Sequence, residues 1–223
     1  VRPALALLLT AAALLAAHHL RPAPYGDRLT TGPAAATAPT ALRTRAGAVE
    51  AYDPATGALR WRYARTGHRP LDVVRHARGE ALALWDDGTV TATTTGPHTP
   101  AVRWHRTLPA TAGWLPAQGG SGVLRPLGHG ILGVVTPPRV SAYRIADGDL
   151  RWVLPARDGC AFAPARGLRH AGAVLLAQPC ADAAWTAQVV AVDDLGRVVP
   201  HRTPLGNELP GARGTGKGLA SPR

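Results

Sequence analysis

The sequence predicts an all-β protein assembled from repeated four-stranded antiparallel units, and three observations predict it. First, residues 49–61 recur as residues 140–152, with Val49, Ala51, Tyr52, Gly57, Leu59, Arg60 and Trp61 matched by Val140, Ala142, Tyr143, Gly148, Leu150, Arg151 and Trp152. So many matches in so short a stretch exceed what composition produces by chance, so the chain carries an internal repeat. Second, apolar and polar residues alternate with period two along both copies, the pattern of half-buried strands. Third, Gly and Pro number 25 and 21 while Met is absent and Phe occurs once, a composition suited to a turn-rich β protein.

Each copy reads as a hairpin. Val49, Ala51 and Asp53 alternate with Glu50 and Tyr52, and the stretch Asp53-Pro54-Ala55-Thr56-Gly57 is turn chemistry. Pro presets its own φ, and Gly accepts the positive φ that reverses the chain. Leu59, Trp61 and Tyr63 then alternate with Arg60 and Arg62, so the returning strand has one apolar and one basic face. A lone hairpin cannot bury a Trp, so the units must stack.

Two further copies fill the pattern. Asp86-Asp87-Gly88 is a turn signal followed by Thr89-Val90-Thr91-Ala92, with Gly96 and then Val102-Arg103-Trp104. A worn copy over residues 189–199 lacks the Trp. The copies begin near Val49, Val90, Val140 and Val189, a period of roughly 40–50 residues, the size of a four-stranded propeller blade. About four blades are expected over residues 44–204, a partial or small propeller. Leu71 to Val74 and Ala81 to Trp85 complete the first unit in this reading. Trp114, residues 122–124 and residues 130–135 belong to the second, and the third runs from Val140 to about Cys180. Trp61, Trp104, Trp152, Tyr52, Tyr143, Gly57 and Gly148 are the repeat's structural anchors, since one Trp per unit is what packing between units requires.

The motif Ala-Tyr-Asp-x-x-Thr-Gly-x-Leu-x-Trp at residues 51–61, with Ala-Tyr…Gly-x-Leu-x-Trp at residues 142–152, resembles the repeat of the PQQ-like β-propeller family. That family holds quinoprotein dehydrogenases and the non-enzymatic propellers of outer-membrane assembly lipoproteins. The resemblance covers residues 44–204 and implies the fold. Quinone-binding members carry adjacent cysteines over the cofactor, a Glu/Asn/Asp calcium cluster and an Asp base. This chain has no adjacent cysteines, and its only glutamates are Glu50, Glu80 and Glu208. No catalytic, cofactor or metal residue is therefore expected. Asp86-Asp87, Asp147, Asp149 and Asp193-Asp194 all fall at turns, where Asp bonds its own backbone. Ser121, Ser141 and Ser221 lie in no nucleophile turn.

The charge is +11, but Lys occurs once, at Lys217, and the Arg residues are spread one or two per strand and loop. Without a basic stripe or block, no nucleic-acid partner is expected. A protein partner or an anionic cell-envelope polymer is. Residues 3–17 form an uninterrupted apolar run, roughly 22 Å long as a helix against ~30 Å of bilayer hydrocarbon. Residues 1–20 thus read as an apolar helix that is a transmembrane anchor or a signal segment. Either places the β domain outside the cytoplasm, single-pass in the cell membrane or secreted. Residues 21–43 read as a Pro/Ala/Thr-rich linker and 205–223 as a disordered tail.

Cys160 and Cys180 are the only cysteines. A hairpin centred near His170 sets them opposite each other on one face, so a disulfide is expected, with Cα atoms about 4.4–6.8 Å apart. Such a bond persists in an oxidising compartment. The functional expectation is an exported, membrane-anchored binding or scaffolding module without catalysis. The alternative is a fragment of a quinone- or metal-dependent oxidoreductase whose cofactor site lies elsewhere.

Overall fold

The computed structural model describes residues 24–33, 40–76, 79–94, 100–170, 173–181 and 189–198. Strands β1 (Asp27–Thr31), β2 (Ala41–Arg45), β3 (Ala48–Tyr52) and β4 (Leu59–Arg65) form the first sheet, in the order β1-β4-β3-β2. The second is β5 (Pro70–Arg75), β6 (Ala81–Trp85), β7 (Thr89–Thr93) and β8 (Val102–Thr107), in sequence order. The third is β9 (Leu124–Pro126), β10 (Ile131–Thr136), β11 (Arg139–Arg144) and β12 (Leu150–Pro155). The fourth holds β13 (Gly167–His170), β14 (Ala173–Ala177) and β15 (Val189–Asp193), three strands among the described residues rather than the expected four. Every pairing is antiparallel. The sheets follow one another as a propeller-like array, and a single helical turn, Leu115–Gln118, interrupts the connection to the third.

Three hairpins repeat in register as well as in sequence. Ala51 opposes Trp61, Ala92 opposes Trp104 and Ala142 opposes Trp152. Each ladder then shifts register directly after that Ala. The extra residue of such a bulge bends and twists the strand locally.

The phase of the units differs from the sequence reading. β5 and β6 pair with the hairpin that follows them and complete the second sheet, not the first. β9 and β10 likewise belong to the third sheet, and β13 and β14 to the fourth. The hairpin motif is the most legible part of each unit and reads as its start, whereas it ends the second and third sheets. The segment read as a linker also contains β1, which pairs along all of its five residues with β4. Its sequence, Asp-Arg-Leu-Thr-Thr, holds a single apolar residue and so shows no alternation, and it is the open edge of β4 that makes this segment a strand. Residues 1–20 and 205–223 lie outside the described residues. Among those described, no helix is long and apolar enough to cross a membrane.

Three cores lie between successive sheets. Val49, Ala51, Trp61 and Tyr63 pack on Ala81, Ala83 and Trp85 between the first and second. Leu82, Leu84, Val90, Ala92 and Trp104 pack on Leu124, Leu132, Val134 and Ile145 between the second and third. Val135, Val140 and Leu127 meet Phe162, Val174, Leu176 and Val192 between the third and fourth. β6 and β7 are buried on both faces, so their side chains alternate between neighbouring sheets rather than between core and water.

The repeated Trp residues sit at these joints. Trp104 donates from Nε1 to the Ile145 carbonyl at 2.8 Å, and its ring lies over Gly148 in the next sheet's turn. Trp152 repeats the arrangement with the Asp194 carbonyl at 3.4 Å and Gly196. A Cβ on Gly148 would fall 2.7 Å from the Trp104 ring, while one on Gly57 would meet nothing within 4 Å. Both glycines have φ of +73°. Gly57→Ala should therefore cost about the ~1–2 kcal/mol of the left-handed backbone alone. Gly148→Ala should cost clearly more in denaturant unfolding, and Trp104→Ala ~3–5 kcal/mol.

Candidate functional site

The densest polar cluster among the described residues lies along the seam between the first two sheets. The alternation that points Trp61 and Tyr63 at the second sheet also points Arg65 there, and its side chain is only 3% exposed. A buried guanidinium needs partners. Arg65 Nη1 donates to Asp87 Oδ1 at 3.0 Å, and the guanidinium carbon lies 5.3 Å from the Trp85 ring centroid. Asp87 in turn caps its own turn, accepting from Thr89 N at 3.0 Å and Thr89 Oγ1 at 2.9 Å. Burial opposes charge on Asp87, but the hydrogen bonds from Arg65 and Thr89 outweigh it and hold the carboxyl below its ordinary range.

A second set of contacts ties down β1. Tyr63 donates to Asp27 Oδ1 at 2.7 Å, and His105 Nε2 lies 2.9 Å from Asp27 Oδ2. Tyr25 stacks on His105 with ring centroids 4.1 Å apart. Burial first, then the bond to Asp27, pushes the Tyr63 phenol far above its ordinary value, so it stays a donor. Asp27 thus joins the first strand to its own sheet and to β8 of the next.

His68, Asp86 and Asp87 bring three possible metal-ligand atoms within 4.8 Å of one another. Their donors are already engaged: His68 Nδ1 lies 3.2 Å from Asp86, Arg69 pairs with Asp86 at 3.7 Å, and Asp87 holds Arg65. A cation here would face the Arg65 guanidinium directly. The charges fit an ion-paired seam better than a metal site.

The aspartates singled out in the sequence act in turns. Asp53 Oδ1 accepts from Ala55 N at 2.8 Å, Asp147 Oδ1 from Asp149 N at 3.1 Å, and Asp193 Oδ1 from Leu195 N at 3.0 Å. Asp149 and Asp194 pair with Arg144 and His129. Tyr52 lies under the Arg43 guanidinium, 4.3 Å from the ring centroid, and Tyr143 packs at the edge of the second core. Trp61 is buried, its Nε1 without an acceptor, and Trp114 is half-buried beside the helical turn. Trp152 is also half-buried, bordering an apolar cleft with Val140, Val174 and Val192.

Cys160 and Cys180 form a disulfide and oppose each other as an antiparallel bridge. The hairpin register differs from the expected one: Gly167 pairs with Leu176 and His170 with Ala173, so the turn falls after His170. A turn closed by Arg166 N–H on the Ala163 carbonyl takes up the difference. Beyond it, Ala163 N–H meets the Ala177 carbonyl and the cysteines come level. Their Cα separation of 4.1 Å is a little under the expected range. Cys160 N–H donates to Arg157, not to Cys180, and such unbonded opposed pairs lie closest in an antiparallel ladder.

Asp27, His68 and His105 went unread in the sequence because they come from a strand start, a loop and the middle of another sheet's strand, which only packing brings together. One signal was available. Arg65 follows Trp61 and Tyr63 at period two, a charge on an apolar face that demands an acid.

No protein-family model matches the sequence, and no curated protein matches it. Several solved structures resemble it. Raptor from Chaetomium thermophilum superposes with a TM-score of 0.52 at 12% identity, over 80% of this chain and 16% of Raptor. BamB from Moraxella catarrhalis gives 0.47 at 15% identity, over 71% of this chain and 48% of BamB. A europium-containing methanol dehydrogenase gives 0.38 at 14% identity, over 78% of this chain and 26% of the enzyme. The chain spans less than half of each. At 12% identity the likeness to Raptor is one of fold alone, and the four successive antiparallel sheets make the class an all-β, propeller-like array.

Two outcomes follow for the seam and the bridge. Asp87→Asn should destabilise by ~1.5–3 kcal/mol, the usual worth of a hydrogen bond to a charged group. Because the folded carboxyl sits below its usual 3.8, its contribution is present above that pH and lost as pH falls through the folded value. The variant should accordingly show a flatter acid limb in a stability-against-pH series. Reduction of the disulfide, whose cysteines are 20 residues apart, should lower the melting temperature by several degrees, following the ~3 kcal/mol of the loop-entropy model.

Proposed function

We propose that the chain is an exported propeller of the PQQ-like repeat type that binds or scaffolds a protein partner and performs no chemistry of its own. The observation that supports this most directly is how the repeat spends its residues. Trp104 and Trp152 are committed to the next sheet, Gly148 to the space beneath Trp104, and Asp53, Asp147 and Asp193 to turns. A motif used wholly for stacking builds rigid faces and rims, and recognition then falls to whatever side chains those faces carry.

The Cys160–Cys180 bridge supports an oxidising compartment, where such a bond endures. Residues 3–17 would supply the membrane attachment, holding the sheets on the outer side of the bilayer.

The purified chain, titrated with the quinone cofactor and calcium, should leave the quinone absorption unchanged and should oxidise no alcohol with an artificial electron acceptor. Turnover would replace this reading with the oxidoreductase one. Protein taken from its native cells should contain no alkylatable thiol. Photo-crosslinkers placed on the sheet faces should give a discrete protein adduct in those cells.

A further inference from the structure

The first sheet has one face against the second sheet and one face free of it, and the free face is basic. Cross-strand pairing sets Arg45, Ala48, Ala64 and Arg28 in one row across all four strands. The adjacent row is Arg43, Glu50, Arg62 and Thr30. Arg60, at the register shift, reaches Thr40 beside the same face. Five arginines from three strands, β1, β2 and β4, are thereby gathered around a single carboxylate, Glu50 on β3, which is 8% exposed. Glu50 is engaged by Arg43 at 2.8 Å and approached by Arg62 at 4.0 Å. Arg28 and Arg45 are exposed and pair with no acid among the described residues.

We infer that this face is the docking surface for an acidic segment of the partner protein, a deeper form of the binding-module reading on which it rests. The first row carries an exposed arginine at each end, Arg45 and Arg28, with buried Ala48 and half-buried Ala64 between them. Its ends lie three strand spacings, about 14 Å, apart. Carboxylates four residues apart on an extended peptide are separated by about the same distance. The planar guanidinium fork pairs two hydrogen bonds with one carboxylate, so each end can grip an Asp or Glu.

Other occupants fit less well. Tyr52 is the aromatic ring of this face and Arg43 already covers it, so no ring is offered to an unpaired base. Ala41, Ala48 and Ala64 give a bilayer nothing large to anchor in. Residues 1–23 and 199–223 do not complement this face by charge, since they hold one acid between them, Glu208. A second copy brings 25 basic residues against 14 acidic ones.

The test uses the full chain and a fluorescent oligoglutamate peptide, read by anisotropy at low and high salt. Wild-type protein should bind at low salt and weaken steeply as salt rises. The double variant Arg28→Ser, Arg45→Ser should bind about five- to tenfold more weakly, the scale of two exposed ion pairs. Arg151→Ser, an exposed arginine on β12, should bind as wild type does. Melting curves establish that all three fold alike. Equal weakening by Arg151→Ser would mean bulk charge rather than this face, and would overturn the assignment. So would tighter binding, through Arg28 and Arg45, of single-stranded DNA or of vesicles containing phosphatidylglycerol. Absence of peptide binding by wild type would also overturn it, while the module reading would still stand or fall on its own quinone, thiol and crosslinking outcomes.

Discussion

The indole of Trp104, laid on the turn of the following sheet and hydrogen-bonded to the Ile145 carbonyl, is the contact on which the array depends. A sheet of three or four short strands leaves its apolar face bare by itself, and here the neighbouring sheets cover it. Facing sheets stand roughly 10 Å apart, and a Trp fills that gap while its N–H satisfies a backbone carbonyl that would otherwise be buried bare. The same contact dictates the residue beneath it. The turn must take a positive φ and must present no Cβ to the ring, and Gly148 and Gly196 meet both demands. For Trp104 and Trp152 one interaction therefore explains both the aromatic and the glycine beneath it, while Trp61, whose Nε1 finds no acceptor, is held by burial alone.

The seam between the first two sheets solves a different problem. β4 carries Arg65 on the face that also buries Trp61 and Tyr63, and an ion in that position destabilises unless fully paired. Asp87 supplies the countercharge from a turn it simultaneously caps, so the loop that positions the acid is held by the acid. Asp27, Tyr63 and His105 do the same for β1, an edge strand with no sequence pattern of its own. Such polar networks specify one register, because any other would leave their buried groups without partners.

The two ends of the array differ in chemistry. The first sheet turns arginines outward, whereas the fourth shows Leu168, 56% exposed, in register with Leu175 and Ala191. The basic end is compatible with water as it stands. The disulfide belongs to the apolar end, where the three described strands leave Trp152 less covered than Trp61 or Trp104.

The sequence by itself determined the period, the hairpins and their turns, because alternation, Asp and Gly chemistry and a recurring Trp are local signals that short-range sterics enforce. It also determined the pairing of Cys160 with Cys180, although through a hairpin centre that the turn at residues 163–166 displaces. Where each sheet begins was not local. The choice of whether β5 and β6 join the hairpin before or after them is made by packing, and so is the recruitment of β1 to the edge of β4. The spatial arrangement of charge was not local either. Arg28, Arg43, Arg45, Arg60 and Arg62 are dispersed along the chain, and only cross-strand register, which brings distant residues within about 5 Å, turns them into one face.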